Sequence, residues 1–191
     1  MSEDNLNVAI SEKMLEKLLN TRTIILSGEI DQALADKICT QLFLLQSMGD
    51  DPIKLFINSQ GGHVESGDTI HDMIQYVKPR VVIIGTGWVA SAGITIYLAV
   101  DKEDRLTLPN TRYMIHQPLG GAQGQASDIK IEADEIIKAR SRINKIISDA
   151  TGQPFEKVHQ DTQRNYWMDV NQAMEYGIVG RVISRFDEVG V

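Results

Sequence analysis

The strongest constraint on this chain is a repeated change of hydrophobic period between residues 23 and 85. Thr23 to Ser27, with its Ile24-Ile25-Leu26 run, reads as a buried strand, and Gln32 to Met48 carries Leu34, Ile38, Leu42 and Leu45 at helical spacing before Gly49. Ile53, Leu55 and Ile57 alternate with Lys54, Phe56 and Asn58 as in a strand that breaks at Gln60-Gly61-Gly62. Asp68 to Val77 returns to a helical face (Ile70, Met73, Ile74, Val77), and Val81 to Gly85 is a further buried strand closing on Gly85-Thr86-Gly87. Strand, helix, strand, helix, strand predicts an α/β domain with parallel strands, whose sites tend to lie where strands end and helices begin. Both glycine breaks fall at such ends.

The remainder continues the alternation. A short apolar helix after Ser91, a charged turn at Asp101 to Asp104, and strands over Arg105 to Leu108 and Arg112 to Ile115 lead to His116. Gly120 to Gln125 is a glycine-rich connection, and Ser127 is placed to cap a long helix running to about Ala150, with Gly152 past its end. Pro154 suits the first turn of the next helix, Asp169 and Gln172 form a capping-box pattern, and Ile178 to Ile183 can add a last strand after Gly177. With 191 residues, no internal repeat and no linker, the whole of 1–191 is expected to be one domain. Helix Ser11 to Asn20 follows a short opening segment, 1–10.

Composition removes several function classes. A net charge of -7 argues against general affinity for nucleic acid or anionic lipid, which needs clustered Lys and Arg. No apolar run reaches the roughly 18 residues of a membrane span. The single Cys39 allows no intrachain disulfide, and acidic Met1 to Asn7 lacks the basic start of a secretion signal, so the cytoplasm is the expected compartment. Cys39 lies beside apolar helix neighbours and reads as a core residue rather than a nucleophile.

Two residues could carry nucleophilic chemistry. Trp88-Val89-Ala90-Ser91-Ala92-Gly93 sets a Ser among small residues at a helix entry, where its hydroxyl and the first amides of the helix share one space. His116 ends a strand just before Gln117-Pro118 and is the histidine best placed as a base. By pattern alone Ser91 could equally be an N-cap and His116 structural. Ser59-Gln60-Gly61-Gly62-His63-Val64 offers amides for an oxyanion, or simply a tight turn. Val89 occupies the position where a G-x-S-x-G nucleophile elbow requires Gly, so an α/β-hydrolase is not indicated. His63, His71 and His159 have neither the spacing nor the carboxylate neighbours of a metal site, and no metal or cofactor is expected.

Longer blocks narrow the reading. Ile57-Asn58-Ser59-Gln60-Gly61-Gly62, then Ala90-Ser91-Ala92-Gly93, then Leu108-Pro109-Asn110-Thr111-Arg112-Tyr113-Met114-Ile115-His116-Gln117-Pro118-Leu119-Gly120-Gly121, then Gly124-Gln125-Ala126-Ser127-Asp128-Ile129 resemble the ClpP family in order and spacing, from about Leu18 to Ile183. The resemblance implies a crotonase-like fold with a protruding handle, strand plus long helix, at about 120–150. It implies two stacked seven-subunit rings enclosing a chamber where unfolded chains are cut, fed by an AAA+ unfoldase of the ClpX or ClpC type that consumes the ATP. It assigns Ser91 as nucleophile, His116 as base, and the amides of Gly62 and Ala92 as oxyanion hole.

Three positions depart from that family. Its triad Asp falls at Asn165, a neutral acceptor that can orient an imidazole but cannot stabilise imidazolium as a carboxylate does. Asp161 and Asp169 are the nearby carboxylates in sequence, one at a helix end and one at a helix cap. Gln163 stands where the family has an acidic partner for an arginine across the ring interface, leaving Arg164 unmatched. Lys54 makes the strand that meets the ATPase loops through Phe56 more polar. Asn165 and Gln163 together raise a second reading: a mainly structural, weakly active ring subunit that works with an Asp-bearing ClpP paralogue. An acyl-CoA hydratase or isomerase on the same fold would need carboxylate acid/base groups and no Ser–His pair.

Overall fold

A computed structural model of the chain describes residues 13–191. Residues 13–20 are helical (α1); the opening segment 1–10 and Ser11, where the helix is expected to begin, lie outside the described residues. Then follow β1 (Thr23–Ile30), α2 (Gln32–Ser47), β2 (Ile53–Gly62), α3 (Val64–Tyr76), β3 (Val81–Ala90), α4 (Ala92–Tyr97), β4 (Arg105–Thr107) and β5 (Arg112–Ile115). The long α5 (Ala126–Thr151), α6 (Phe155–Asp161), β6 (Tyr166–Met168), α7 (Val170–Tyr176) and β7 (Arg181–Val182) complete the chain, with a 3₁₀ turn at Lys102–Asp104 and another at Phe186–Val189.

Strands β1, β2, β3, β4 and β7 lie side by side in parallel, as the strand–helix alternation predicts. The long β3 serves two partners: Ile83 to Gly85 pair with β4, and Trp88 to Ala90 pair with β5. Among the described strands only β6 runs antiparallel, against β5. In β2 the odd positions Ile53, Leu55 and Ile57 are fully buried, and the even ones are not. In β1 the same alternation leaves Ile25 half exposed between buried Ile24 and Leu26, so that segment is one-sided rather than buried throughout. Each fully buried Ile or Leu contributes about 1.5–3 kcal/mol.

The glycine positions expected to end β2 and β3 do not end them. Both strands run on, with register shifts between Ser27 and Glu29 and between Ile57 and Ser59. Bulges let the strands carry their glycines while re-aiming the side chains beyond. As a result β2 delivers Gly61-Gly62, and β3 delivers Ser91, to the same end of the sheet. Helix α3 begins directly after, at Val64, four residues earlier than its apolar face suggests.

The expected capping box at Asp169 and Gln172 is present in both directions, and α5 and α7 end on left-handed Gly152 and Gly177. Ser127 is not a cap: α5 starts at Ala126, with Gln125, two residues before Ser127, in the cap position. Most of α5 stands away from the body, with only Ile143, Asn144 and Ile147 buried. Residues 117–125, where the handle strand is expected, form no strand; Pro118 and three glycines disfavour one, and none of the described strands pairs with them. Cys39 is half-buried on α2, outside the main core, and burial followed by nearby Asp36 pushes its thiol up, away from a reactive thiolate. Among the described residues no helix is long and apolar enough to cross a membrane.

Arg105 ties the end of α5 and the end of α7 to the sheet. It is 4% exposed, its Nε donates to Val100 O, and its Nη1 donates to Ala150 O and Gly177 O. Removing it strands several buried carbonyls, so Arg105→Ala is expected to cost about 3–5 kcal/mol, read as a lowered urea midpoint.

Candidate active site

Ser91 follows β3 and precedes α4, and its backbone is strained, with φ 56 and ψ -124. Such conformations cost a non-glycine residue about 1–3 kcal/mol and persist where the surroundings enforce them. Here Ser91 N donates to Met114 O at 2.9 Å, fixing the turn to β5. The side chain makes no capping hydrogen bond, so Ser91 does not act as an N-cap through its hydroxyl. Its Oγ instead lies 2.7 Å from His116 Nε2.

His116 is held by β5, and Asn165 by β6. Antiparallel pairs Met114–Trp167 and Ile115–Tyr166 set the register, so the next opposed pair is His116 with Asn165. The contact follows: His116 Nδ1 lies 3.0 Å from Asn165 Oδ1. The turn is tied by Gln117 N donating to Thr162 O at 2.6 Å and Gln117 Nε2 donating to Gln163 O at 2.9 Å. With Oδ1 facing it, Nδ1 carries the proton, and Nε2 is left with a lone pair for the Ser91 hydroxyl. Burial lowers the His116 pKa below its ordinary value and so favours the neutral imidazole, an effect partly offset by the Asn165 hydrogen bond.

Neither sequence-neighbouring carboxylate replaces Asn165. Asp161 accepts from Lys157 and from Tyr176 Oη, and Asp169 caps α7. The other histidines are engaged elsewhere: His63 Nδ1 with Ser66 Oγ, His71 Nδ1 with Thr95 O, and His159 stacked on Phe155. Gln163 and Arg164 are exposed, and Arg164 has no ion pair among the described residues. Lys54 sits 5.8 Å from the Phe186 ring, and Phe56 packs against a second apolar cluster containing Ile84 and Leu106.

A cleft of about 350 Å³ opens at Ser91, lined by Gln60, Gly61, Gly62, Val64, His116 and Leu119. The glycine pair is sterically required. A Cβ on Gly62 would lie 2.2 Å from Ile30 O, and one on Gly61 would lie 2.5 Å from Ser91 Cβ and 3.1 Å from Ala92 N. Gly62 lines the same cleft as Ser91, and Ala92, as the first residue of α4, has no intrahelical acceptor for its amide. Gly61, to which the sequence pattern gives no role of its own, leaves no room for a side chain against Ser91; its only sequence signal is the glycine pair. Gly61→Ala is expected to slow acylation of Ser91 by a fluorophosphonate by roughly 10²-fold, since small misplacements at a reacting centre cost that much. A second, apolar recess beside Ser91 is lined by Val64, Ile94, Ile115, Pro118, Ile143 and Ile147.

A serine aligned on a neutral, oriented imidazole, beside helix-start and glycine amides at the end of a parallel sheet, defines a serine peptidase. The chain belongs to the Clp protease family, whose profile matches residues 7–186. It is 52% identical to ATP-dependent Clp protease proteolytic subunit 3 of Rhizobium meliloti (strain 1021), over 98% of this chain and 96% of that one. It is 47% identical to proteolytic subunit 2 of Pseudomonas aeruginosa, over 92% and 87%. Among solved structures it is similar to ClpP1 from Listeria monocytogenes (TM-score 0.83, 56% identity) and to the N165D mutant of that protein (TM-score 0.87, 57% identity), each alignment covering 92% of this chain and 99% of the other.

Proposed function

We propose that the chain is the proteolytic subunit of an ATP-dependent Clp protease, a serine endopeptidase that cuts unfolded polypeptides through an acyl-enzyme. The observation that carries this reading is Ser91 Oγ at 2.7 Å from His116 Nε2 with Asn165 Oδ1 on the opposite ring nitrogen. His116 removes the hydroxyl proton as Ser91 Oγ attacks the scissile carbonyl, and the amides of Gly62 and Ala92 receive the oxyanion. The imidazolium then protonates the leaving amine, and water frees the acyl group by the reverse proton path. The cleft of about 350 Å³ over Ser91, lined by Gly61, Gly62, Val64 and Leu119, is large enough for a substrate side chain next to the cut bond.

On this reading 1–191 is one peptidase domain whose long helix α5 is the handle between two stacked seven-membered rings. A ClpX-type or ClpC-type AAA+ unfoldase docks near Phe56 and consumes the ATP, and the particle works in the cytoplasm. The peptidase step itself uses no cofactor.

A second reading is favoured by Asn165, which is exposed and neutral, and by Gln163, uncharged where the family has an acidic residue. In it the subunit is weakly active alone and reaches full rate in mixed rings with an Asp-bearing paralogue. One assay separates them: cleavage of a short fluorogenic peptide by the purified chain, by Ser91→Ala, and by a mixture with an Asp-bearing ClpP subunit. Cleavage by the chain alone that Ser91→Ala loses supports an autonomous peptidase. Cleavage only in the mixture supports the partner-dependent subunit, and none in either overturns both.

A further inference from the structure

We propose that Trp88 is a positioning residue for the Ser91–His116–Asn165 array, acting through Trp167 on the strand that carries Asn165; this rests on the peptidase reading above. The need for such a residue follows from how weakly Asn165 is held. It is exposed, and among the described residues its one side-chain hydrogen bond is the one to His116. It precedes β6, a strand of three residues that pairs only with β5. Short edge strands open readily unless something outside the ladder fixes them.

The fixing layer lies on the same face as the array. Side chains two apart on a strand share a face, so Trp167 shares Asn165's, and Arg112 and Met114 share that of His116. Trp88 pairs with Arg112 between β3 and β5. Its indole stacks on Trp167 at 6.3 Å with a 13° interplanar angle, and the Arg112 guanidinium carbon lies 4.5 Å from the Trp167 ring centroid. One aromatic and cationic layer therefore spans β3, β5 and β6, and it connects the strand leading to Ser91 with the strand led by Asn165. Trp88 is 42% exposed and the core below is supplied by Val89 and Tyr113, so the layer is not needed to fold the sheet.

The test is a mutant cycle on acylation of Ser91 by a fluorophosphonate, with a second readout that needs no activity, the downfield Nδ1–H proton resonance of His116. Trp88→Ala is expected to slow acylation roughly tenfold, the fold-change of a lost aromatic pair. Trp88→Phe should restore most of it. In an Asn165→Ala background Trp88→Ala should cost nothing further, and in the otherwise native chain it should broaden the His116 resonance. A tenfold loss that persists in Asn165→Ala, or a His116 resonance unchanged by Trp88→Ala, overturns the inference. A chain inert to fluorophosphonate would count against the peptidase reading instead, and the resonance would still decide the role of Trp88.

Discussion

Ser91→Ala and His116→Ala are expected to remove peptide cleavage by the same factor, roughly 10²–10⁴-fold in kcat because the triad already lacks its carboxylate, with the double variant no slower than either single one. The near-equality follows from the geometry. Ser91 Oγ has one base within reach, at 2.7 Å, and His116 has one nucleophile, so each is idle without the other. Cys39 offers no bypass, because it lies on α2 with its thiol pushed up by burial. What survives in all three variants should be the modest acceleration from the oxyanion amides and substrate binding. The wild-type rate sets the measurable range, so the comparison uses a fluorogenic peptide at saturating concentration and single-turnover acylation as a check. A His116→Ala variant that keeps more than about one hundredth of the rate would mean that another base serves Ser91.

How far the sequence carried this outcome differs from element to element. Core strands β2 and β3 and helix α2 were legible because their periods are strong and burial follows them residue by residue. Their ends were not, since Gly61-Gly62 and Gly85-Thr86-Gly87 look like terminators, and only pairing with β1, β4 and β5 keeps them in the sheet. Ser91 and His116 were legible as residues at element ends, but the strained backbone of Ser91 is imposed by a contact distant in sequence, at Met114, and leaves no local signal. Asn165 could be assigned only by resemblance to ClpP, because its meeting with His116, 49 residues distant, is a matter of antiparallel register. The same holds for the Trp88–Trp167–Arg112 layer, whose members look unrelated until the register of three strands brings them together.

Asn165→Asp is expected to raise kcat by roughly 10²–10⁴-fold and to move the acidic limb of the pH–rate profile upward. A carboxylate in place of the carboxamide keeps the shape and the contact with Nδ1, but adds a negative charge about 3 Å from the ring that becomes positive in the transition state. In a serine protease built on a full Ser-His-Asp triad, changing that Asp to Asn costs about 10⁴ in kcat. The gain from the reverse change should be smaller here, because Asn165 is exposed and water screens the new charge. The direction of the pH shift follows from the same charge. Only neutral His116 accepts the Ser91 proton, so activity rises as pH climbs through its pKa and levels off above it. In the native chain burial holds that pKa below the ordinary value, so the plateau is reached at lower pH than an unperturbed histidine would give. A carboxylate favours imidazolium, raises the pKa and carries the limb to higher pH while the plateau rises. A faster variant with an unmoved limb would place the gain in ring assembly rather than in His116, and an unchanged rate would mean that a neutral partner at 165 already suffices for the acylation step.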